Sequence, residues 1–346
     1  MQKDLTTGSI SKALFLFAGP MILGNLLQQF YNITDTLIVG QFLGSDALAA
    51  VGSSFSLMTF LTSILLGLCM GSSVIFSTFF GARKKDSLQS SFFVSFCFVG
   101  LAAVVIEALS LFFLDPLLTV LQIPVHILSD TRTYLQIIFY GIFFTFLYNF
   151  FASLLRAIGN SFIPLIFLGV STLINILLDL LFILQFQMGI AGAAWATVIA
   201  QGFSAIGMIG YCVVKVPLIR LQKKHFVFTK GLFIPIVQYS LLTCVQQSIM
   251  NFGILMIQGL VNSFGVTVMA AFAAAVKIDS FAYMPVQDFG NAFSTFIAQN
   301  YGAKQQQRIR KGIRTAVTAS VGFCIAVSIF VWLFAEKLML IFVKPE

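Results

Sequence analysis

Nine predominantly apolar stretches, each long enough to cross a lipid bilayer, leave this chain few ways to fold. They fall at about 13–39, 52–79, 91–114, 133–155, 163–184, 190–214, 232–261, 268–298 and 315–343, and one crossing needs roughly 20 residues. Inside hydrocarbon the backbone must satisfy its own hydrogen bonds, so long apolar runs of this kind become helices. A soluble fold fails on composition: of 346 residues, 59% are hydrophobic and only 9% charged, against roughly 25% charged in soluble domains. The expected fold class is an all-α polytopic membrane protein with about nine helices present.

Charge placement sets the direction of the spans. Sixteen of the 20 basic residues fall on one side: Lys3 and Lys12, the Arg83-Lys84-Lys85 loop, Arg156, the group from Lys215 to Lys230, and the group from Lys304 to Arg314. The opposite side holds Arg132, Lys337 and Lys344, and Lys277 lies within a span. The positive-inside rule then makes the N-terminus cytoplasmic. It also accounts for the net charge of +8 without any nucleic-acid partner, because the cations are dispersed among loops. All five cysteines lie within apolar runs and His126 and His225 lie in loops on opposite sides. That placement offers no metal centre, no nucleophile–base pair and no cofactor, so an intramembrane enzyme is not expected.

An internal repeat divides the chain. Phe80-Gly81-Ala82-Arg83 recurs as Tyr301-Gly302-Ala303-Lys304, an offset of 221 residues. The same offset aligns Gly44 and Leu48-Ala49-Ala50 with Gly265 and Met269-Ala270-Ala271, and Leu27-Gln28-Gln29 resembles Val245-Gln246-Gln247 at offset 218. Six spans separate the matched elements, so the halves share one topology, a known plan among carriers. Residues 1–220 form an expected N-lobe with helices 1–6, and 221–346 a partial C-lobe with helices 7–9. A complete second half would need about as many residues as the first, so the sequence reads as C-terminally truncated.

Polar residues inside the spans carry the chemistry. A carboxylate near the centre of a transmembrane helix costs about 2.5–3.5 kcal/mol or more, so it faces a partner or a wet cavity. Gln28, Tyr31 and Asp35 share one helical stripe at i, i+3, i+7, and Asn175 and Asp179 share another at i, i+4. Spans 1 and 5 run in the same direction, with Asp35 and Asp179 four and five residues from their ends. Thr197, early in the returning span 6, reaches a similar level. Two acids, an amide and a hydroxyl at one depth make an all-oxygen set suited to a hard cation or a shared proton. Spacing alone leaves open the alternative that these acids are interfacial residues solvated by headgroups. In span 8, Lys277 and Asp288 share a face, and either a structural ion pair or a substrate role fits them. Pro20 and Pro285, inside spans 1 and 8, each remove a helix hydrogen bond and are expected to kink their helices.

The chain also resembles a known family. Leu5-Thr6-Thr7-Gly8-Ser9, Pro20-Met21-Ile22-Leu23-Gly24-Asn25-Leu26 and Asp35-Thr36-Leu37-Ile38-Val39-Gly40 are similar to the first helix of bacterial multidrug and toxic compound extrusion (MATE) transporters. So are Phe42-Leu43-Gly44, Ala47 to Gly52, the Asn175 to Asp179 stretch, Gly189 to Ala194 and Gln299 to Ala303. The resemblance implies two six-helix lobes, the second incomplete here, around a cavity opened alternately to each side. It implies a monomer in the bacterial cell membrane, exporting small organic, often cationic, compounds in exchange for Na⁺ or H⁺. It further implies that Asp35, Asn175, Asp179 and Thr197 form the cation or proton coupling site, the only expected place for a metal ion, a transported Na⁺. Gln28, Tyr31 and Asn149 resemble its cavity lining, to which Gln246, Lys277 and Asp288 are candidate additions. Some relatives carry an acid in helix 7, where this chain has Gln246 and Gln247. The alternatives are a lipid-linked saccharide flippase of the same superfamily, which would be expected to hold more cationic charge in its spans, and a non-transporting relic.

Overall fold

In a computed structural model, which describes residues 4–121, 123–262 and 266–342, apolar runs become long helices that satisfy their own backbones. In chain order they are α1 (Ile10–Leu43), α2 (Ser45–Gly81), α3 (Lys85–Phe112), α4 (Leu114–Val120), α5 (Val125–Phe139), α6 (Ile142–Ala157), α7 (Phe162–Leu180), α8 (Gly189–Lys215), α9 (Lys230–Asn262), α10 (Val266–Gly302) and α11 (Gln306–Phe342). Among the described residues no strand occurs. Lys3, Gly265 and Lys344, used above for topology and repeat, lie outside the described residues, as does the side chain of Lys277.

Seven of these helices are long and apolar enough to cross a membrane, and the bent pair α5–α6 makes an eighth crossing if taken as one span. The 133–155 stretch, read above as one rod, is thus broken, with a 45° bend between Phe139 and Ile142. A further departure follows Asp179, where Leu181–Gln185 adopts a π-helical turn. The eighth stretch is the 37-residue helix α10, which carries Lys277, Asp279 and Asp288 and is not among those seven. Pro20 and Pro285 sit inside uninterrupted helices.

The matched segments of the sequence share geometry as well as residues. Helices α2 and α10 are each 37 residues long, with bounds displaced by the 221-residue offset. Both end in the same turn. Arg83 and Lys304 take the left-handed conformation at φ 56° and 57°. The bonds Arg83 N to Phe80 O and Lys84 N to Phe79 O recur as Lys304 N to Tyr301 O and Gln305 N to Asn300 O. The two turns also meet reciprocally: a methyl group on Gly81 would overlap the Gln299 carbonyl, and one on Gly302 the Thr78 carbonyl. Thr78 and Gln299 are themselves 221 apart.

Elsewhere the packing follows the rules of lipid, where hydrophobicity does not drive helix association and small or hydroxylated residues do. Gly67 and Gly71 bring the α2 backbone against Thr243–Cys244 and Tyr239–Ser240 of α9. There Thr243 Oγ1 donates to Gly67 O at 2.6 Å and Ser240 Oγ to Leu68 O at 3.0 Å. Phe76, Phe92, Phe146, Phe150 and Phe151 interlock at the centre of the largest core cluster. Outward faces stay apolar, as lipid requires: the apolar window of α11 buries none of its residues. At the end opposite the basic loops, Asp115 accepts from Arg132 Nε at 2.7 Å, and this guanidinium holds the Asp115 carboxyl below its usual range.

Gly81→Ala and Gly302→Ala are each expected to lower the thermal stability of the detergent-solubilised protein, by about 1–3 kcal/mol for backbone overlap. Gly52→Ala, which meets nothing, should leave it unchanged or higher. Equal melting temperatures for all three would refute the close crossing of α2 and α10.

Candidate functional site

Four helices bring polar side chains together inside an apolar wall. Asp35 comes from α1, Tyr134 from α5, Asn175 and Asp179 from α7, and Thr197 from α8. Asn175 and Asp179 are fully buried and Asp35 is 8% exposed. The wall is Ile38, Val39, Ile137, Ile183, Ile190 and Val198 with their neighbours. Gly192 lets the start of α8 approach Phe182 of the π-helical turn, which places Thr197 one and a half turns later opposite α7.

The hydrogen bonding of this cluster is incomplete. Thr197 is its hub: Asn175 Nδ2 donates to Thr197 Oγ1 at 3.3 Å, and the Tyr31 and Thr197 hydroxyls share a bond at 3.2 Å. The Asp35 and Asp179 carboxylates lie beside each other, and the Tyr31 and Tyr134 rings sit within reach of both charges. Among the described residues, Asp35 Oδ1, Asn175 Oδ1 and both Asp179 carboxylate oxygens have no hydrogen-bond partner. A buried polar group left unpaired costs about 1–3 kcal/mol, more when charged. Two neighbouring acids among oxygen donors have the chemistry to take up a proton or a hard cation.

Of the other sequence candidates, Tyr31 joins this cluster through Thr197, and the rest lie elsewhere on the helices. Gln28 and Tyr31 are partly buried on α1; Asn149 is partly buried on α6 and donates to Thr145 O at 2.8 Å. Gln246 is exposed on α9. Asp288 is 4% exposed and accepts a 2.7 Å bond from Asn25 Nδ2. One turn along, Gln29 Nε2 reaches Met284 Sδ at 3.4 Å, so α1 and α10 meet as antiparallel partners. The charge of Arg156, at the end of α6, reaches Asp288. Tyr134, Asn25 and Gln201, which bonds Thr145 Oγ1 at 2.8 Å, were not singled out from sequence. Asn25 could have been, since it precedes Gln28 by one turn on the stripe that leads to Asp35.

A bundle of long apolar helices with polar residues buried among them defines a polytopic membrane protein. Comparison with known proteins gives the family. The MatE family pattern matches residues 20–181 and 243–346. "Probable multidrug resistance protein YpnP" of Bacillus subtilis is 32% identical over 344 residues, 99% of this chain and 76% of that protein. "Probable multidrug resistance protein NorM" of Thermotoga maritima is 26% identical, covering 96% of this chain and 72% of its own. Among solved structures, an outward-facing multidrug resistance MATE family transporter of the MOP superfamily superposes with a TM-score of 0.89 at 23% identity. It covers 99% of this chain and 76% of the other. The chain belongs to the MatE family, and is a multi-pass membrane transporter, as the resemblance implied.

Replacing one of the paired acids should relieve their mutual repulsion. Asp179→Asn is expected to melt higher than the parent at pH 8 in the absence of Na⁺, by about 1–3 kcal/mol. A lower melting temperature would mean that the Asp179 oxygens are satisfied in solution.

Proposed function

We propose that the protein exports small organic cations in exchange for Na⁺ or H⁺, with Asp35, Asn175, Asp179 and Thr197 as the exchange site. The supporting observation is the set of unpartnered oxygens on Asp35, Asn175 and Asp179 in an apolar wall. Such a pair of acids is costly when empty and charged, and relaxes when a proton or hard cation neutralises it. Loading removes the demand for water around the site; unloading restores it. The two states of charge therefore favour different hydration of the same cavity, which is the differential that a switch needs.

Helix α1 links this exchange to the rest of the molecule. It carries Asp35 near one end and Asn25, bonded to Asp288 of α10, ten residues earlier. Pro20 lacks the N–H that would stiffen the helix below Asn25, so bending there shifts both contacts together. Gln28, Tyr31 and Asn149 supply amide and hydroxyl groups toward the cavity, and Asp288 a negative charge for the cationic end of a substrate; Gln246 and Lys277 are the remaining lining candidates. In this reading residues 1–220 and 221–346 are the N-lobe and part of the C-lobe, the basic ends of the helices face the cytoplasm, and the chain works as a monomer in the bacterial cell membrane.

Proteoliposomes loaded with a fluorescent organic cation test the assignment. An imposed inward Na⁺ or H⁺ gradient should drive export by the parent. Asp35→Asn should reduce gradient-driven export to that of protein-free vesicles while the variant remains folded. Undiminished export by this variant would overturn the site, and equal response to both gradients and to none would overturn coupling.

A further inference from the structure

A cavity that shares no lining residue with the acid cluster lies at the basic end between the N-terminal segment and α11. It measures about 1000 Å³ and is lined by Lys304, Arg308, Lys311 and Arg314, by Gly8 to Ser11 before and at the start of α1, and by Gln305 to Gln307 at the start of α11. Arg308, Lys311 and Arg314 follow one another at i, i+3, i+6, one face of the helix. Two helix starts open on it, and the N-cap of α1, Ser9, makes no side-chain cap bond, leaving first-turn N–H groups for an acceptor. No acidic residue lines it, and among the described residues none of its four cations is in an ion pair.

The repeat supplies a control within the same molecule. The equivalent turn between α2 and α3 borders a smaller cavity of about 270 Å³ on the other flank of the N-terminal segment, where Arg83 and Lys85 are accompanied by Asp4. At the 221-residue offset, Arg308, Lys311 and Arg314 replace Ser87, Ser90 and Phe93, and Gln307 replaces Asp86. Asp86 in the first half pairs with Lys224 at 2.9 Å and His225 at 3.1 Å. The second turn has thus gained cations and lost its acid. A need for positive charge on this side alone is already met by Arg83, Lys84 and Lys85 in the first turn; it does not account for a one-faced stripe lining a cavity.

Two arrangements identify the missing counter-ion. Arg308 is spent partly on the protein itself: its Nη1 donates to Gly8 O at 2.7 Å and its Nη2 to Thr7 O at 2.8 Å, while its charge feels Asp4. Lys304, Lys311 and Arg314 are exposed and remain to meet an anion. Directly along the Arg314 stripe of α11 follow Val317 and Val321, with Ile313 beside them, exposed by 56%, 51% and 45%. A cationic cavity continuous with an uncovered apolar stripe fits an amphiphile, the phosphate in the cavity and the acyl chains along the helix. We propose that this cavity binds the phosphate headgroup of an anionic membrane lipid, with Lys304, Lys311 and Arg314 as its charged contacts.

The test is thermal unfolding of the purified 346-residue chain in neutral detergent, titrated separately with phosphatidylglycerol, phosphatidylcholine and inorganic phosphate. Phosphatidylglycerol should stabilise the parent, and an equal loss of charge elsewhere, in Lys215→Gln/Lys223→Gln/Lys230→Gln, should leave that response intact. Lys304→Gln/Lys311→Gln/Arg314→Gln should weaken the apparent affinity roughly tenfold or more, since each cation near an anionic lipid contributes about 1 kcal/mol. Should the triple variant not fold, Lys311→Gln alone, at an exposed position, is expected to show part of the loss. An unchanged phosphatidylglycerol response in these variants would overturn the site. An equal response to phosphatidylcholine, or to inorganic phosphate at the same concentration, would overturn the anionic lipid as its ligand.

Discussion

Two carboxylates buried side by side, with no donor to Asp35 Oδ1 or to either Asp179 oxygen among the described residues, are the feature on which the functional account depends. Around Asp35 and Asp179, Thr197 spends its hydroxyl on Asn175 and Tyr31, and the wall is mostly isoleucine, valine and alanine with Tyr134. A chain selected only for stability would not leave such oxygens bare. The MatE family membership establishes a transporter, and the proposed exchange site is the place where charge neutralisation would alter the energy of the fold.

The remainder of the bundle gives this pair a rigid frame and one adjustable connection. The close glycine crossings of α2 with α9 and α10 fix one layer by backbone contact. The phenylalanine cluster locks α2, α3 and α6. Helix α1 packs on α10 through Leu14, Phe17, Ala18 and Met21 against Phe289, Ala292 and Phe296, and beyond Pro20 meets it through a polar bond and a thioether contact. The basic end is knit by the N-terminal segment: Leu5 N donates to Gln299 Oε1 at 3.1 Å, and Gln299 Nε2 to Ala157 O at 2.7 Å. Gln299 thereby joins the N-terminal segment, α6 and α10 at the point where α2 and α10 cross.

Much of this was legible in the residues because a helix in lipid has fixed rise and fixed periodicity. The equal depth of Asp35 and Asp179 follows from counting along two parallel spans, and the shared turn of α2 and α10 from a four-residue repeat. What escaped the sequence depended on breaks in that regularity. The bend after Phe139 and the π-helical turn after Asp179 reset the rotation of the segments that present Tyr134 and frame Thr197. Neither break carries a proline. Asn25 and Asp288 were readable as polar residues in apolar helices, but their pairing required the antiparallel register of α1 against α10, which no local pattern encodes.

The central claim is that the Asp35–Asp179 pair holds a cation or proton that an organic cation displaces. Its most direct test is ion release from the purified protein in weakly buffered solution, measured with pH and Na⁺ electrodes as an organic cation is added. The account predicts stoichiometric release of H⁺ or Na⁺ from the parent and none from Asp35→Asn/Asp179→Asn. Binding of the organic cation with no ion released, or equal release from the double variant, would contradict it.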